Sequence, residues 1–454
     1  MTEHGMNALA SQVAAWTGGR LVGADVALAG VGHDSRTLPT GALFVALRGE
    51  RHDGHDHVAA LVGTAGAVLV ARELPLALPQ IVVSDTLVAL QALARAWIAR
   101  MPARRLALTG SNGKTTTKAL TAAILARAGV THATPGNWNN EIGLPLTVLG
   151  LVPEHRFAVL EMGCGKPGDI DELCAIAPPH AATVTNIAPA HLERLGSVEG
   201  VAQAKAGIYR GLREDGIAVI NADEAYAGEF RRAAGAHRVL DYAIDAAAAV
   251  RAEALEIGLH SRFRLATPAG ACAIELPLPG RHNVMNALAA ASLALAVDAP
   301  LDAIAAALVQ AQAVAGRGRR VELEGGSLYD DSYNANPGSL AAAIETLALE
   351  RGQRWLVLGD MAELGPQGEA LHARCGALAR ARGLDRLYTL GRLSRAASAA
   401  FGAGARHYED VDALIAALRA EWQGGTTVLV KGSRSARMER VVAALAGAPA
   451  GGAH

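Results

Sequence analysis

Residues 109–118 read Thr-Gly-Ser-Asn-Gly-Lys-Thr-Thr-Thr-Lys, set between the apolar triplet Leu106-Ala107-Leu108 and a helix-like stretch. A buried strand running through a glycine loop into a helix is the opening of a parallel α/β unit, and few other folds accommodate it. Gly110 and Gly113 let backbone N–H groups close around phosphate oxygens, and the helix N-terminus adds the positive end of its dipole. Lys114 adds a charge, Thr115 offers a hydroxyl to magnesium, and Ser111, Asn112 and Thr116 complete the loop. The segment therefore predicts a site for ATP or a related triphosphate. The general P-loop pattern demands a glycine five residues before Gly113, where this chain has Leu108, so the ordinary kinase and GTPase loop is not present. A plain tight turn would use the two glycines but would need neither the lysine nor the hydroxyls in register.

A chain of 454 residues exceeds one core, and three domains are expected, over residues 1–102, 103–316 and 317–454. Hydrophobic residues make up 51% and aromatics 4%, which favours alanine-rich helices packed on sheets over an all-β architecture. With 42 basic and 43 acidic residues the net charge is −1, so no overall field draws nucleic acid or an anionic membrane, and an anionic ligand must be caught locally. Cys164, Cys174, Cys272 and Cys375 show neither metal spacing nor a disulfide framework, which fits a reducing compartment. Residues 1–20 lack a basic region followed by an apolar stretch, so no secretory signal is expected. The apolar segment 286–310 is interrupted by Asp298, Pro300 and Asp302 and reads as two soluble helices, not a membrane span. A cytoplasmic protein is expected.

Residues 1 to about 100 alternate short apolar runs at 42–47, 67–70 and 81–83 with helical patterns, ending in an amphipathic helix over 87–98. This predicts a small α/β domain, closed off by the proline and charges of 101–105. From 106 to about 315, buried strands at 157–160, 182–186 and 217–220 alternate with helices, the pattern of a mostly parallel sheet. Ligands gather at the carboxyl ends of such strands, where Glu161, Asn186 and Asp223 fall. The aperiodic stretch 314–320 is an expected hinge. Strands at 355–358, 386–390 and 427–430 then predict a third parallel unit, and 446–454 an expected frayed tail.

Within this frame several side chains suit chemistry. Glu161, an acid at a strand end near the phosphate loop, could supply a further magnesium contact or be a solvated loop residue. His191 could reach the same cleft, though alone, as one of fifteen histidines, it would more often be a capping or packing residue. Lys205 lies in a helical stretch, 197–209, and reads by default as an exposed helix lysine. Asn283 and Asn286 share a face three residues apart at the start of a helix over 286–297; Asn283 suits either an N-cap or a purine edge. The polar cluster 330–339 follows a short strand and is too dense for a simple turn, and Ser35 and Arg36 could belong to a surface turn but are also types that bind phosphate or a nucleotide carrier.

Taken together, the loop 110–116, Glu161, Ala190-His191, Lys205, His282-Asn283, Gly316-Arg317 and Asp331 resemble the Mur ligases in order and spacing over nearly the whole chain. The stretches 34–36, 331–337, 357–365 and 430–434 are similar to the branch that adds a D-alanyl-D-alanine dipeptide. The resemblance implies an N-terminal domain for the UDP-N-acetylmuramoyl tripeptide, a central ATPase and a C-terminal Rossmann-like domain. It implies that ATP phosphorylates the tripeptide carboxylate and that the amine of D-Ala-D-Ala then attacks the acyl phosphate, in cytoplasmic peptidoglycan precursor synthesis by a monomer.

By the same resemblance Lys114 holds the β and γ phosphates, Thr115 and Glu161 one Mg2+, and His191 with a carbamylated Lys205 a second. Asn283 meets adenine, Arg317 the γ phosphate from across the hinge, and Asp331 the ribose. Ser35 and Arg36 bind the UDP-linked substrate, Asn137, Asn139 and Asn140 line the route to the γ phosphate, and Asn334 with Asn336 faces the dipeptide. Lys205-Ala206-Gly207 departs from relatives that place an acid two residues after the lysine. A sister ligase adding the third amino acid would be expected to carry an Asp-Asn-Pro-Arg motif, which this chain lacks. A P-loop phosphotransferase would lack the acid–histidine–lysine set, and a nucleotide-binding protein without catalysis would lack Lys114, Glu161 or His191.

Overall fold

The computed structural model describes residues 5–49 and 51–447, so of the expected frayed tail 448–454 lies outside the described residues. Three sheets form, each covered by helices. The first has five strands in the order Arg20–Val22, Gln80–Val82, Ala67–Val70, Leu43–Val45 and Val31–Gly32, parallel except for the first pair. Beside it runs a two-stranded ribbon, Asn7–Leu9 against Ala27–Ala29. The expected helix closes this unit as Thr86–Ile98, with Asp85 accepting from Leu87 and Val88 N–H groups as its N-cap.

The central sheet has nine strands. Seven are parallel, and the strand Arg104–Thr109 sits between Phe157–Glu161 and Ala181–Val184 with all but its first residue buried. Burial on both faces explains why these strands read as unbroken apolar runs. Three strands at one edge were not resolved from the sequence: Val250–Glu256, Ser261–Thr267 and Gly270–Leu276, of which Ser261–Thr267 runs antiparallel to both of its neighbours. Their buried and exposed positions alternate, so each presents only half the apolar signal of a central strand.

The C-terminal sheet has six strands, Arg319–Leu323, Gly326–Asp331, Thr426–Lys431, Gln353–Gly359, Arg386–Leu390 and Ala405–Tyr408, parallel except for the first pair. The first of these begins inside the stretch expected to be an aperiodic hinge. The turn ahead of it depends on Gly316 and Gly318, both in left-handed backbone at φ +71° and +75°. Among the described residues no helix is long and apolar enough to cross a membrane.

Candidate active site

The phosphate loop leaves the carboxyl end of Arg104–Thr109 and enters the helix Lys114–Ala126. Both loop glycines are required. Gly110 sits at φ +149° with its Cα facing Thr185 Oγ1, and Gly113 at φ +80° facing Asn286 Oδ1, where a Cβ would collide with either oxygen. The loop is then shaped by the end of the next strand. Ser111 N–H donates to Asn186 O (2.9 Å), Asn112 N–H to Asn186 Oδ1 (3.0 Å), and Thr185 Oγ1 donates to Asn112 O (2.6 Å). Asn186, expected to end its strand, lies two residues past the strand Ala181–Val184 and shapes the loop.

Lys114 folds back so that Nζ donates to Gly110 O (2.8 Å), and burial pulls its pKa below the ordinary lysine range. Thr115 Oγ1 donates to Glu161 Oε2 (3.2 Å), and Asn139 Nδ2 to Glu161 Oε1 (2.8 Å). Glu161 is 2% exposed, so its position as a solvated loop residue is excluded. Its third partner is Lys118, whose Nζ lies 3.2 Å from Oε2 and also donates to Gly136 O (2.6 Å). Lys118 was not singled out from the sequence; the available signal was its i+4 spacing from Lys114, which puts both lysines on one helix face.

Lys205 overturns its expectation as an exposed helix lysine. The helix Val198–Arg210, capped by Ser197, buries Val201, Ala202, Ala204, Lys205, Ile208 and Tyr209, leaving Lys205 1% exposed. Burial first, and then repulsion from Lys114, lower its pKa from 10.5 to about 7. His191 adopts left-handed backbone (φ +53°), and its Nδ1 lies 2.5 Å from Oε2 of Glu363 in the C-terminal unit. Burial lowers the His191 pKa, against the opposing pull of Glu363.

The helix expected to open near Asn286 starts at Arg281 with Gly280 at its cap, so Asn283 lies inside the first turn and is not the N-cap. Its Nδ2 donates to Pro279 O (2.9 Å), and its Oδ1 accepts from Asn286 Nδ2 (3.2 Å). Across the cleft, Arg317 stacks on Tyr333 with its guanidinium carbon 4.0 Å from the ring centre. Asp331 Oδ2 lies 2.5 Å from Nζ of the buried Lys431, which also donates to Asn334 O (3.0 Å). Burial nevertheless raises the Asp331 pKa. Lys431 belongs to a recognised stretch but was missed as a site residue, because a lysine ending a buried strand has no distinguishing spacing.

Two cavities result. The first, about 790 Å³, is lined by Gly113, Lys114, Thr115, Asn283, Asp331 and Lys431. The second, about 540 Å³, is lined by Asn137, Asn139, Asn140, Glu161, His191 and Arg194, and by Gln91 from the N-terminal unit. Lys114, Arg317 and Asn334 line both. Asn336 reaches only the first; its Oδ1 caps the helix Pro337–Leu347, and its Nδ2 donates to Asn112 Oδ1 (2.7 Å). Lys205 lines neither cavity, and neither do Ser35 and Arg36. Arg36 is paired with Asp34 at 2.6 Å on the surface of the N-terminal unit. Nearby, His33 meets Trp138 edge-on at 6.2 Å, next to the asparagine segment.

Among the described residues no three His, Cys, Asp or Glu side chains converge as a ready cation cage. The donors present, a threonine hydroxyl and a carboxylate, suit a magnesium ion that completes its shell with water and phosphate oxygens.

Known proteins of one family are similar to this chain over most of its length. Residues 27–97 match the Mur ligase family catalytic domain, 108–294 the Mur ligase middle domain, and 316–434 the Mur ligase glutamate ligase domain. UDP-N-acetylmuramoyl-tripeptide--D-alanyl-D-alanine ligase of Escherichia coli is 48% identical over 96% of this chain and 97% of its own. The enzyme of the same name from Bacillus subtilis is 39% identical over 92% and 93%. Among solved structures, MurF from Acinetobacter baumannii superposes with a TM-score of 0.92 at 33% identity, covering 98% of this chain and 100% of that one. MurF ligase from Thermotoga maritima, solved with ADP, gives 0.83 at 27% identity over 92% and 97%. A glycine loop between a buried strand and a helix, an arginine facing it across a cleft, and matches spanning all three sheets lead to one conclusion: the chain belongs to the Mur ligase family.

Proposed function

We propose that this chain joins D-Ala-D-Ala to the UDP-N-acetylmuramoyl tripeptide in an ATP-dependent reaction of peptidoglycan precursor synthesis. The observation that carries the reading is the junction of the two cavities, where Lys114 and Arg317 face both. One cavity has the loop and amides for a nucleotide. The other has the carboxylate and asparagines for the acyl substrate. A phosphoryl group passing from one to the other would cross at the two cations.

In this mechanism a carboxylate oxygen of the tripeptide attacks the γ phosphorus, the bond from that phosphorus to the β–γ bridging oxygen breaks, and ADP leaves. The amine of the dipeptide then attacks the acyl carbon, giving a tetrahedral intermediate that expels phosphate, and the ammonium proton is lost. Lys114 and Arg317 offset charge as two anions approach. Asn283 would meet adenine, with Asp331 at the ribose and the loop 110–116 around the phosphates. Thr115 and Glu161 would hold one Mg2+; when bound, magnesium lowers the repulsion between the phosphates and the entering carboxylate. His191 and Lys205 would hold a second only if Lys205 is carbamylated, and a lysine with a pKa near 7 supplies the neutral amine that adds to CO2, releasing a proton. Ser35 and Arg36 would bind the UDP-linked part, Asn137, Asn139 and Asn140 the peptide route, and Asn334 and Asn336 the dipeptide. The engagement of Asn336 with Asn112 leaves Asn334 the freer of the last two.

The test is phosphate release with ATP, magnesium and UDP-N-acetylmuramoyl tripeptide, with and without D-Ala-D-Ala, combined with mass analysis of the product. Release indifferent to the dipeptide, or no joined product, rejects the ligase reading. We place the reaction in the cytoplasm and in a monomer, the latter checked by light scattering at working concentration.

A further inference from the structure

His191 and Glu363 are two of only five non-glycine residues with positive φ among the described residues, and they face each other across the domain cleft. Left-handed backbone at a non-glycine residue is unfavourable and persists where surrounding structure imposes it. Here it brings a carboxylate of the C-terminal unit onto Nδ1 of a histidine whose side chain lines the second cavity. Glu363 itself lines neither cavity and its side chain is half exposed, so it acts through the histidine and not on a ligand.

We propose that Glu363 is a positioning residue for His191: it accepts the Nδ1–H, which leaves Nε2 as the lone-pair nitrogen available to the second cavity. A carboxylate behind a histidine fixes both ring orientation and tautomer, and such partners commonly set cation affinity at the other nitrogen. Because the carboxylate comes from the C-terminal unit, His191 is oriented only while that unit is docked. The inference rests on the reading of His191 as a donor to a cation.

The experiment uses the full chain. Nitrogen-15 NMR of the histidine rings, without any metal, reports the tautomer of His191, identified by loss of its signal in His191→Ala. Electron paramagnetic resonance with Mn2+ and ADP, in bicarbonate buffer so that Lys205 can carry its carbamate, reports cation affinity. Glu363→Ala should shift the ring away from the Nδ1–H form and weaken Mn2+ binding about 10–100-fold. Glu363→Gln, which keeps an acceptor oxygen, should retain the wild-type tautomer and most of the affinity. The double variant with His191→Ala should bind no more weakly than His191→Ala alone. An unchanged ring signal and unchanged Mn2+ affinity in Glu363→Ala would overturn the proposal. If His191→Ala itself leaves Mn2+ affinity intact, the cation role of His191 fails, while the ring signal in Glu363→Ala still decides for or against Glu363. Thermal unfolding of each variant excludes global loss of structure.

Discussion

Two lysines of the central unit play different parts. Lys114 is held over Gly110 at the junction of the cavities, and its replacement by methionine keeps the stem but removes the charge. Turnover should fall about 10²–10³-fold, with the melting temperature nearly unchanged, by analogy with loss of one preorganised stabilising group. Steady-state kinetics beside thermal unfolding check this. Lys205 carries a burden instead. Its folded pKa of about 7 lies below the unfolded 10.5, so the unfolded chain binds more protons between these values and stability rises with pH across that window. Below pH 7 the full penalty of burying the charge is present. Lys205→Met should therefore be more stable than the parent at pH 7 by a few kcal/mol, on the order expected for removing a buried unpaired charge. It should also lose turnover. Urea unfolding in CO2-free buffer is the measurement, and the advantage should shrink when bicarbonate is added to the parent. A parent already as stable as the variant in CO2-free buffer would contradict this account.

At the level of elements, the site is a strand end, a loop and a helix start held by neighbours. Gly113 is the tightest joint, with positive φ and the Asn286 amide oxygen against its Cα. Gly113→Ala should destabilise the protein by about 1–3 kcal/mol through backbone strain alone and move Asn286 away from Thr117, to which it is bonded at 3.3 Å. ATP binding should weaken in parallel, read by calorimetry. The strand–loop–helix order was legible because apolar runs, glycines and hydroxyls occur in fixed register. The antiparallel edge of the central sheet was not, since its half-exposed strands offer only weak alternation. The first turn of the helix at Arg281 was missed for a similar reason, because Arg281 and His282 are polar and no capping side chain announces its start.

At the scale of the molecule, the C-terminal unit is docked through contacts that are far apart in the chain. Asn336 Nδ2 reaches Asn112 Oδ1 in the phosphate loop, and the same amide caps its own helix. Asn336→Ser keeps a capping hydroxyl but cannot span the cleft, so it separates the two roles. Its melting temperature should stay close to the parent's, while KM for ATP rises about 2–10-fold, the equivalent of one hydrogen bond of about 0.5–1.5 kcal/mol. Small-angle scattering should show a larger radius in the absence of nucleotide. A KM and radius equal to the parent's would mean that this contact does not contribute to docking.

The alternation of buried strands with helices, the phosphate loop and the strand-end acid could be read along the chain, because each depends on residue types at short spacing, and the family resemblance could be read because its motifs keep their order. Burial could not. Lys205 and Lys431 are the same residue as any surface lysine until packing encloses them, and Glu161 becomes a gripped carboxylate only when Thr115, Lys118 and Asn139 close on it. Pairings such as His191 with Glu363 and Asn112 with Asn336, 172 and 224 residues apart, follow from how the sheets dock. Local sequence specifies backbone conformation and chemistry, whereas desolvation and long-range partners belong to the assembled fold, and these set which of the candidate side chains can bear charge and where.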